Sequence, residues 1–379
     1  MIIPRALKSI ILKDLKDAHK GIVIYGARQV GKTTLANQIL SELSLKTLYL
    51  NGDLYGEWRS ILESRELSKY KLLFTGYDAV FVDEAQRIPD IGISLKIILD
   101  NFPNLVVIVT GSSSLDLASK ISEPLTGRVY TYKLDTISYS ELSKIYTPIE
   151  LRNFLEERLI FGSYPQAITL EGMDAKANYL SNLTNSYLYK DLLEFGDIKN
   201  SSKITDLLKL LSFQIGSQVS VAELAKSLEL SRNTTDRYID LLEQSFIIYR
   251  LSGFSRNLRK EVSKMDKIYF YDLGVRNTIM GNLKLIGVRD DIGKLWENFL
   301  INERIKNTKL KSPLTSFYYW RLSSGAELDL VEEAHGKLNG YGLKWGTKIP
   351  KAPESWIKGY SDATFAYYNR SNFEEFILS

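Results

Sequence analysis

The chain has 379 residues, no cysteine, two histidines and a net charge of +4, with 44% apolar and 25% charged residues. That length predicts two or three domains, and the composition is ordinary for globular protein. Structural disulfides and thiolate metal sites are excluded, a histidine-rich metal site lacks ligands, and the charge is too small to establish a nucleic-acid partner by itself.

The opening MIIPRALKSIILKDLKDAHKG interrupts every apolar run with charge and has no small-residue cleavage site after it. It reads as an amphipathic helix with Leu7, Ile10, Ile11 and Leu15 on one face, and not as a signal peptide. No run reaches the ~18 apolar residues of a membrane span. These features predict a cytoplasmic protein with no membrane partner.

Residues 21–110 alternate strand and helix patterns. GIVIYG, KTLYLNGD, DAVFVDEAQ and NLVVIVTGSS are short apolar runs with polar or small ends, and KTTLANQILSEL between the first two is helical. Near-continuous apolar strands predict a parallel sheet covered by helices on both faces. Ligands of such sheets bind at the carboxyl ends of the strands, where the polar ends converge.

Gly26-Ala27-Arg28-Gln29-Val30-Gly31-Lys32-Thr33 follows the first run and matches G-x-x-x-x-G-K-[ST] in full. Glycines let the loop curl so that backbone N–H groups point at phosphates, and the helix starting near Lys32 adds its dipole. The pattern predicts ATP bound by residues 26–33 and Thr34, with Lys32 on the β- and γ-phosphates and Thr33 on Mg²⁺. Asp83 ends an apolar strand, as a second Mg²⁺ anchor must. Glu84 can orient or deprotonate the attacking water, or be a capping or surface acid. Ser112 ends the next strand, where it is either a γ-phosphate contact or a turn residue. Arg128 is a candidate for stabilising transferred charge, with a surface residue as the alternative.

Beyond residue 135 helical periodicity dominates, as in NYLSNLTNSYLYKDLLEF, and residues 135–200 read as a helical lid or connector. Residues 201–284 hold three helical stretches and then two strand-like runs, the order of a winged helix-turn-helix. Its second helix-turn element runs from Ser231, a plausible N-cap, and places Arg232, Asn233, Thr234 and Arg237 where recognition helices meet base edges. Arg250, Arg256, Arg259, Lys260, Lys264 and Lys267 give a local basic excess where a wing would meet phosphates. Duplex DNA is therefore a candidate partner, with a rigid spacer or protein dock as the alternative. Residues 285–379 hold a helix, GKLWENFLINERIKN, and the strands FYYWRL, AELDLVEE and YGLKW. Trp296, Trp320 and Trp345 read as core packing.

The motifs GARQVGKTTL, FVDEAQRIPD, TGSSSLDL, LTGRVYTYKL and FGSYPQA, in this order, resemble the AAA-type ATPases of bacteria and archaea that carry a C-terminal DUF4143 region. FSRNLRKEVSKMDKIYFYDLGVRN, GKLWENFLINE, FYYWRLSSGAELDLVEE and LKWG extend the resemblance over nearly the whole chain. It implies an α/β P-loop core (1–134), a helical lid, a winged helix and a small α/β module similar to PD-(D/E)xK nucleases. In such nucleases an Asp and a Glu on adjacent strands hold Mg²⁺, a Lys positions the water, and a helical Glu adds a ligand. Glu297 falls at the helical Glu, Asp329 at the Asp and Lys344 at the Lys, but Gly342 stands where the pattern requires an acid. Glu327, two residues before Asp329, is the candidate replacement. Three readings stay open: an ATPase switch coupled to a degenerate nuclease-like domain, an ATP-dependent DNA nuclease, and a nucleotide-binding scaffold for protein partners or a homo-oligomer.

Overall fold

A computed structural model describes every residue except 1, 18–19, 113–124, 189–200, 256–264, 348–350 and 361. The chain divides into two compact units, one of residues 2–136 with 244–246, the other of residues 137–243 and 247–379. Among the described residues no helix is long and apolar enough to cross a membrane.

The first unit is a sheet of β1 (Gly21–Tyr25), β2 (Thr47–Asn51), β3 (Ala79–Asp83), β4 (Val106–Gly111) and β5 (Val129–Lys133) in the order β2-β3-β4-β1-β5. Every pairing is parallel. Its α-helices among the described residues are α1 (Ala6–Asp17), α2 (Lys32–Glu42), α3 (Glu57–Ser64), α4 (Leu67–Phe74) and α5 (Ile91–Asn101). The strand period of two explains the apolar runs. Val23, Val80, Val82, Val107 and Val109 share one core cluster with Leu62, Tyr70, Phe74, Leu95 and Ile98 of α3–α5. The residues between them, Ile22, Ile24, Phe81 and Ile108, are buried too, on the face where α1 and α2 pack against β1, β3 and β4. A strand buried on both faces has no polar positions to alternate with. The fifth strand, VYTYK, lies at the sheet edge and is only partly buried; its polar alternation hid it from the sequence reading.

In the second unit come α6 (Tyr139–Leu142), α7 (Pro148–Asn153), α8 (Leu155–Phe161), α9 (Pro165–Thr169) and α10 (Met173–Asn182). Local chemistry sets the starts of α6 and α7: Ser138 with Glu141, and Thr147 with Glu150, form capping boxes. Three helices, α11 (Ser201–Phe213), α12 (Val221–Leu228) and α13 (Arg232–Gln244), precede an antiparallel pair, β6 (Ile248–Leu251) and β7 (Lys267–Phe270). After α14 (Leu273–Ile279) and α15 (Ile292–Lys311) follow β8 (Ser316–Arg321), β9 (Glu327–Ala334), β10 (Lys337–Leu343), α16 (Glu354–Gly359), β11 (Thr364–Tyr368) and α17 (Phe373–Leu378). The sheet order is β11-β10-β9-β8, with only β10–β11 parallel. Tyr318 pairs with Val331 but Trp320 with Leu328, so β9 carries one extra residue around Asp329, a bulge.

Two motifs of this unit are joints. Gly162 of FGSYP ends α8 at φ 73°, and a Cβ there would lie 2.1 Å from Asp272 Oδ1. The Asp272 carboxylate accepts from the Ser163 N–H at 2.6 Å and caps α14 through the Val275 N–H at 3.1 Å. Asn277 Nδ2 donates to the carbonyls of Leu159 and Ile160, closing the carboxyl end of α8. The YDLGVRN stretch therefore serves packing of helix ends.

Candidate nucleotide site and a lysine-filled carboxylate cluster

The loop between β1 and α2 owes its path to its glycines. Gly26 has φ 150°, and a Cβ there would lie 2.3 Å from the Leu134 carbonyl oxygen. Gly31, at φ 97°, is the N-cap of α2 and receives the Leu35 N–H at 2.9 Å. Gln29 also holds positive φ, a backbone turn of the kind that anion nests use. Lys32 is buried, and its ammonium donates to the carbonyls of Gly26 at 3.0 Å and Ala27 at 2.9 Å. Arg5, which sequence reasoning missed, donates to the Val30 carbonyl at 2.7 Å and to that of Asp135. A lone arginine ahead of the first helix carried no signal for this.

Thr33 Oγ1 donates towards both oxygens of Asp83, at 3.1 and 3.0 Å. Asp83 also accepts from Tyr49 Oη at 2.9 Å and from Thr110 Oγ1. Burial and then the bond to Asp83 push the Tyr49 phenol up to about 12, so it remains a donor at neutral pH. Glu84 follows at φ 49°, and its side chain does not cap the turn it begins. Its Oε2 accepts from Gln86 Nε2 at 2.6 Å, and the same Gln86 nitrogen donates to Ser112 Oγ at 2.9 Å. The DEAQ stretch thus ties the end of β3 to the end of β4 through Gln86, a link the sequence reading did not contain. Gly52 makes room for this corner: its N–H donates to the Asp83 carbonyl, and a Cβ would lie 2.3 Å from that of Glu84.

Lys32, Thr33, Asp83, Glu84 and Ser112 all lie at the carboxyl ends of β1, β3 and β4. Arg128 does not. Its carbonyl receives the Gly21 N–H at the start of β1, so it sits at the amino-terminal edge of the sheet, and its guanidinium pairs with Asp100 at 2.6 Å. Within one chain it faces away from the loop, which corrects the expectation that it stabilises transferred charge there. The hydroxyl and carboxylate oxygens of Thr33 and Asp83 are the donor set a hard cation such as Mg²⁺ takes, and the loop is the backbone cradle a polyphosphate takes.

The second cluster lies on β7, α15, β9 and the end of β10. Asp329 Oδ2 accepts from the Leu343 N–H at 2.7 Å and from Lys344 Nζ at 3.2 Å. Glu297 Oε1 accepts from Tyr269 Oη at 2.5 Å and from Lys267 Nζ at 3.3 Å. Lys267, 2% exposed, also reaches Glu327 Oε1 at 2.6 Å. Burial opposes the Lys267 charge, but Glu297, Glu327 and Asp329 outweigh it and hold the ammonium protonated. Burial and the nearby Asp329 push the Glu297 carboxyl up to about 7, against the pull of Lys267. Among the described residues no three acidic or histidine side chains are grouped to hold a metal ion. Gly342 supplies no carboxylate, and a Cβ there would meet only Tyr367 and Phe365 at ordinary contact distance, 3.4 Å or more. The four expected residues do come together, but as ion pairs; a metal does not fit them as they stand.

Two further expectations need correction. Lys267 is buried in this cluster, and Arg250 is held by Asp240 at 2.7 Å and Glu243 at 2.6 Å, so neither belongs to an exposed basic wing. Arg256, Arg259, Lys260 and Lys264 lie outside the described residues. On α13, Arg232, Asn233 and Arg237 are exposed, while Thr234 takes part in the cap made by Ser231, whose Oγ accepts from the Thr234 N–H at 3.1 Å. Trp296 and Trp320 are core residues; Trp345 is only half-buried, edge-on to Trp296 with the Arg370 guanidinium over its ring.

Comparison with known proteins matches residues 18–143 to the family described as AAA domain, 152–285 to a domain of unknown function, DUF8612, and 292–371 to another, DUF4143. An uncharacterized protein of Mycobacterium tuberculosis is 26% identical over 350 residues, 91% of this chain and 74% of that protein. An uncharacterized protein of Methanocaldococcus jannaschii is 27% identical over 386 residues, 89% of this chain and 79% of that one. The RuvB Holliday junction branch migration motor of Thermotoga maritima is similar over 65% of this chain and 90% of its own, at 17% identity and a TM-score of 0.35. The AAA match and the DUF4143 match are the two that the sequence motifs implied, the first toward the amino terminus and the second toward the carboxyl terminus of the chain.

Proposed function

We propose that the chain is a Mg²⁺-dependent ATPase that uses hydrolysis as a conformational switch. The observation that carries this reading is the Thr33 hydroxyl set against both Asp83 oxygens, 3.1 and 3.0 Å away, beside the glycine-shaped loop of Lys32. Residues 26–34 hold the phosphates, chiefly through backbone N–H groups of the loop and the amino terminus of α2. Lys32 exchanges its carbonyl partners for β- and γ-phosphate oxygens. Mg²⁺ held by Thr33 and Asp83 would neutralise charge on those phosphates. Glu84 orients the attacking water and takes its proton. Ser112 reports the γ-phosphate, and Gln86, bonded to both Glu84 and Ser112, passes its presence to the base.

Switches of this kind order loops around a γ-phosphate and release them on hydrolysis. We read the three helices and antiparallel pair of residues 201–284 as a winged helix and duplex DNA as its candidate partner; the exposed Arg232 and Asn233 at the start of α13 support that reading. The paired lysines of the carboxylate cluster speak against the nuclease alternative. The test is hydrolysis with and without duplex DNA, in the wild type and in Arg232→Ala/Asn233→Ala. DNA stimulation lost in the variant is the expected result. Hydrolysis indifferent to DNA would remove DNA as the partner and leave a protein partner; ATP bound but never turned over would leave only the scaffold.

A further inference from the structure

A nuclease of the PD-(D/E)xK kind needs a divalent cation among its carboxylates. Here the centre of the carboxylate cluster is taken by a side chain from β7, outside the β8–β11 sheet that carries Asp329 and Glu327. Lys267 Nζ lies 2.6 Å from Glu327 Oε1 and 3.3 Å from Glu297 Oε1, and its side chain is 2% exposed. A cavity of about 470 Å³ lined by Lys294, Glu297, Lys344 and Trp345 reaches the cluster. A hydrated cation therefore has a way in, and burial does not keep it out. Charge does: a divalent ion would sit against a fixed ammonium already paired with Glu327 and Glu297.

We propose that the Lys267 ammonium is the resident cation of this cluster, standing where a divalent metal would stand, so that Glu297, Glu327 and Asp329 bind no metal and cut no phosphodiester. The loss of the acid at Gly342 and the presence of Lys267 are then two parts of one change, a metal site rebuilt as a buried ion-pair network. The cluster holds β7, α15 and β9 together by charge, and removing one partner leaves its neighbours uncompensated.

The experiment is a Mn²⁺ titration, by paramagnetic resonance of free Mn²⁺, of the full chain without nucleotide. All proteins carry Asp83→Asn to silence the other carboxylate site. With Lys267 intact no Mn²⁺ site is expected. Lys267→Met should gain one site per chain, binding at least ~10-fold more tightly than the parent, the scale of removing one close like charge. Adding Asp329→Asn should abolish the gain. If Lys267→Met does not fold, Lys267→Gln, which keeps a donor for the two glutamates, gives the same readout. One Mn²⁺ per chain bound with Lys267 intact and lost on Asp329→Asn would overturn the proposal. So would a folded Lys267 variant that binds no more Mn²⁺ than its parent.

Discussion

Asp83 and Asp329 are both buried aspartates on apolar strands with a lysine nearby, yet their surroundings give them opposite roles. Asp83 is held by neutral donors, the hydroxyls of Thr33, Tyr49 and Thr110, while Lys32 turns to backbone carbonyls. The carboxylate is fixed in place by groups that carry no charge of their own. Around Asp329 cations join a backbone donor, the Leu343 N–H: Lys344 bonds the carboxylate, and Lys267 takes Glu297 and Glu327. The same residue types make a carboxylate held by hydroxyls in one unit and an ion-paired network in the other. What separates them is whether lysine reaches the carboxylates or the main chain.

The largest effects should break the first site and spare the second. Asp83→Asn is expected to lower ATP hydrolysis by ~100-fold or more, the scale of losing one preorganised electrostatic contact, whereas Asp329→Asn should leave the hydrolysis rate at the wild-type level. Steady-state phosphate release checks both. If Asp329→Asn lost hydrolysis as fully as Asp83→Asn, the contrast between the two sites would fail.

The glycines sharpen the same contrast. Gly26→Ala places a Cβ 2.3 Å from a backbone oxygen at positive φ, so it should cost on the order of 2–3 kcal/mol and abolish nucleotide binding. Gly342→Ala meets only ordinary contacts and should stay within ~0.5 kcal/mol of wild type. Denaturant melts of the two variants decide it.

Glu297 gives a pH signature that belongs to the second site alone. Its carboxyl is raised from 4.5 to about 7, so the folded chain binds this proton more tightly than the unfolded chain. The stability this proton contributes is complete below about pH 4.5 and is lost as pH rises through about 7. Relative to Glu297→Gln, which is neutral at every pH, the wild type should lose stability on the order of 3 kcal/mol from about pH 4 to about pH 8. Parallel denaturant curves for the two proteins would contradict the assignment. The smallest effect is expected at Arg128: Arg128→Ala should hydrolyse ATP at the wild-type rate, because its guanidinium pairs with Asp100 at the far edge of the sheet. A severe loss would mean that it acts on the site of another chain.

The first site was legible because its pattern is local. A glycine loop between a strand and a helix occupies one stretch of sequence, and Asp83 ends an apolar run that could only be a buried strand. What was not legible came from residues far apart in the chain. Lys267 meets Glu297 and Glu327 only because β7 lies beside α15 and β9, and in the sequence it looked like one more cation of a basic stretch. Arg5 and Tyr49 reach the loop and Asp83 through the packing of α1 and β2, with nothing at their own positions to announce it. Arg128 was misjudged for the reverse reason: a parallel edge strand places its first residues at the wrong end of the sheet. The strands β5 and β11 escaped because edge strands of mixed polarity lack the apolar run that marked the others.

ATP hydrolysis by the Lys32 loop is tested most directly by steady-state turnover of the wild type and Lys32→Ala in Mg²⁺, with and without duplex DNA. Mg²⁺-dependent turnover in the wild type that falls by ~100-fold or more in Lys32→Ala is the predicted result. Turnover that survives Lys32→Ala, or a wild type that binds ATP and never hydrolyses it in either condition, would contradict it.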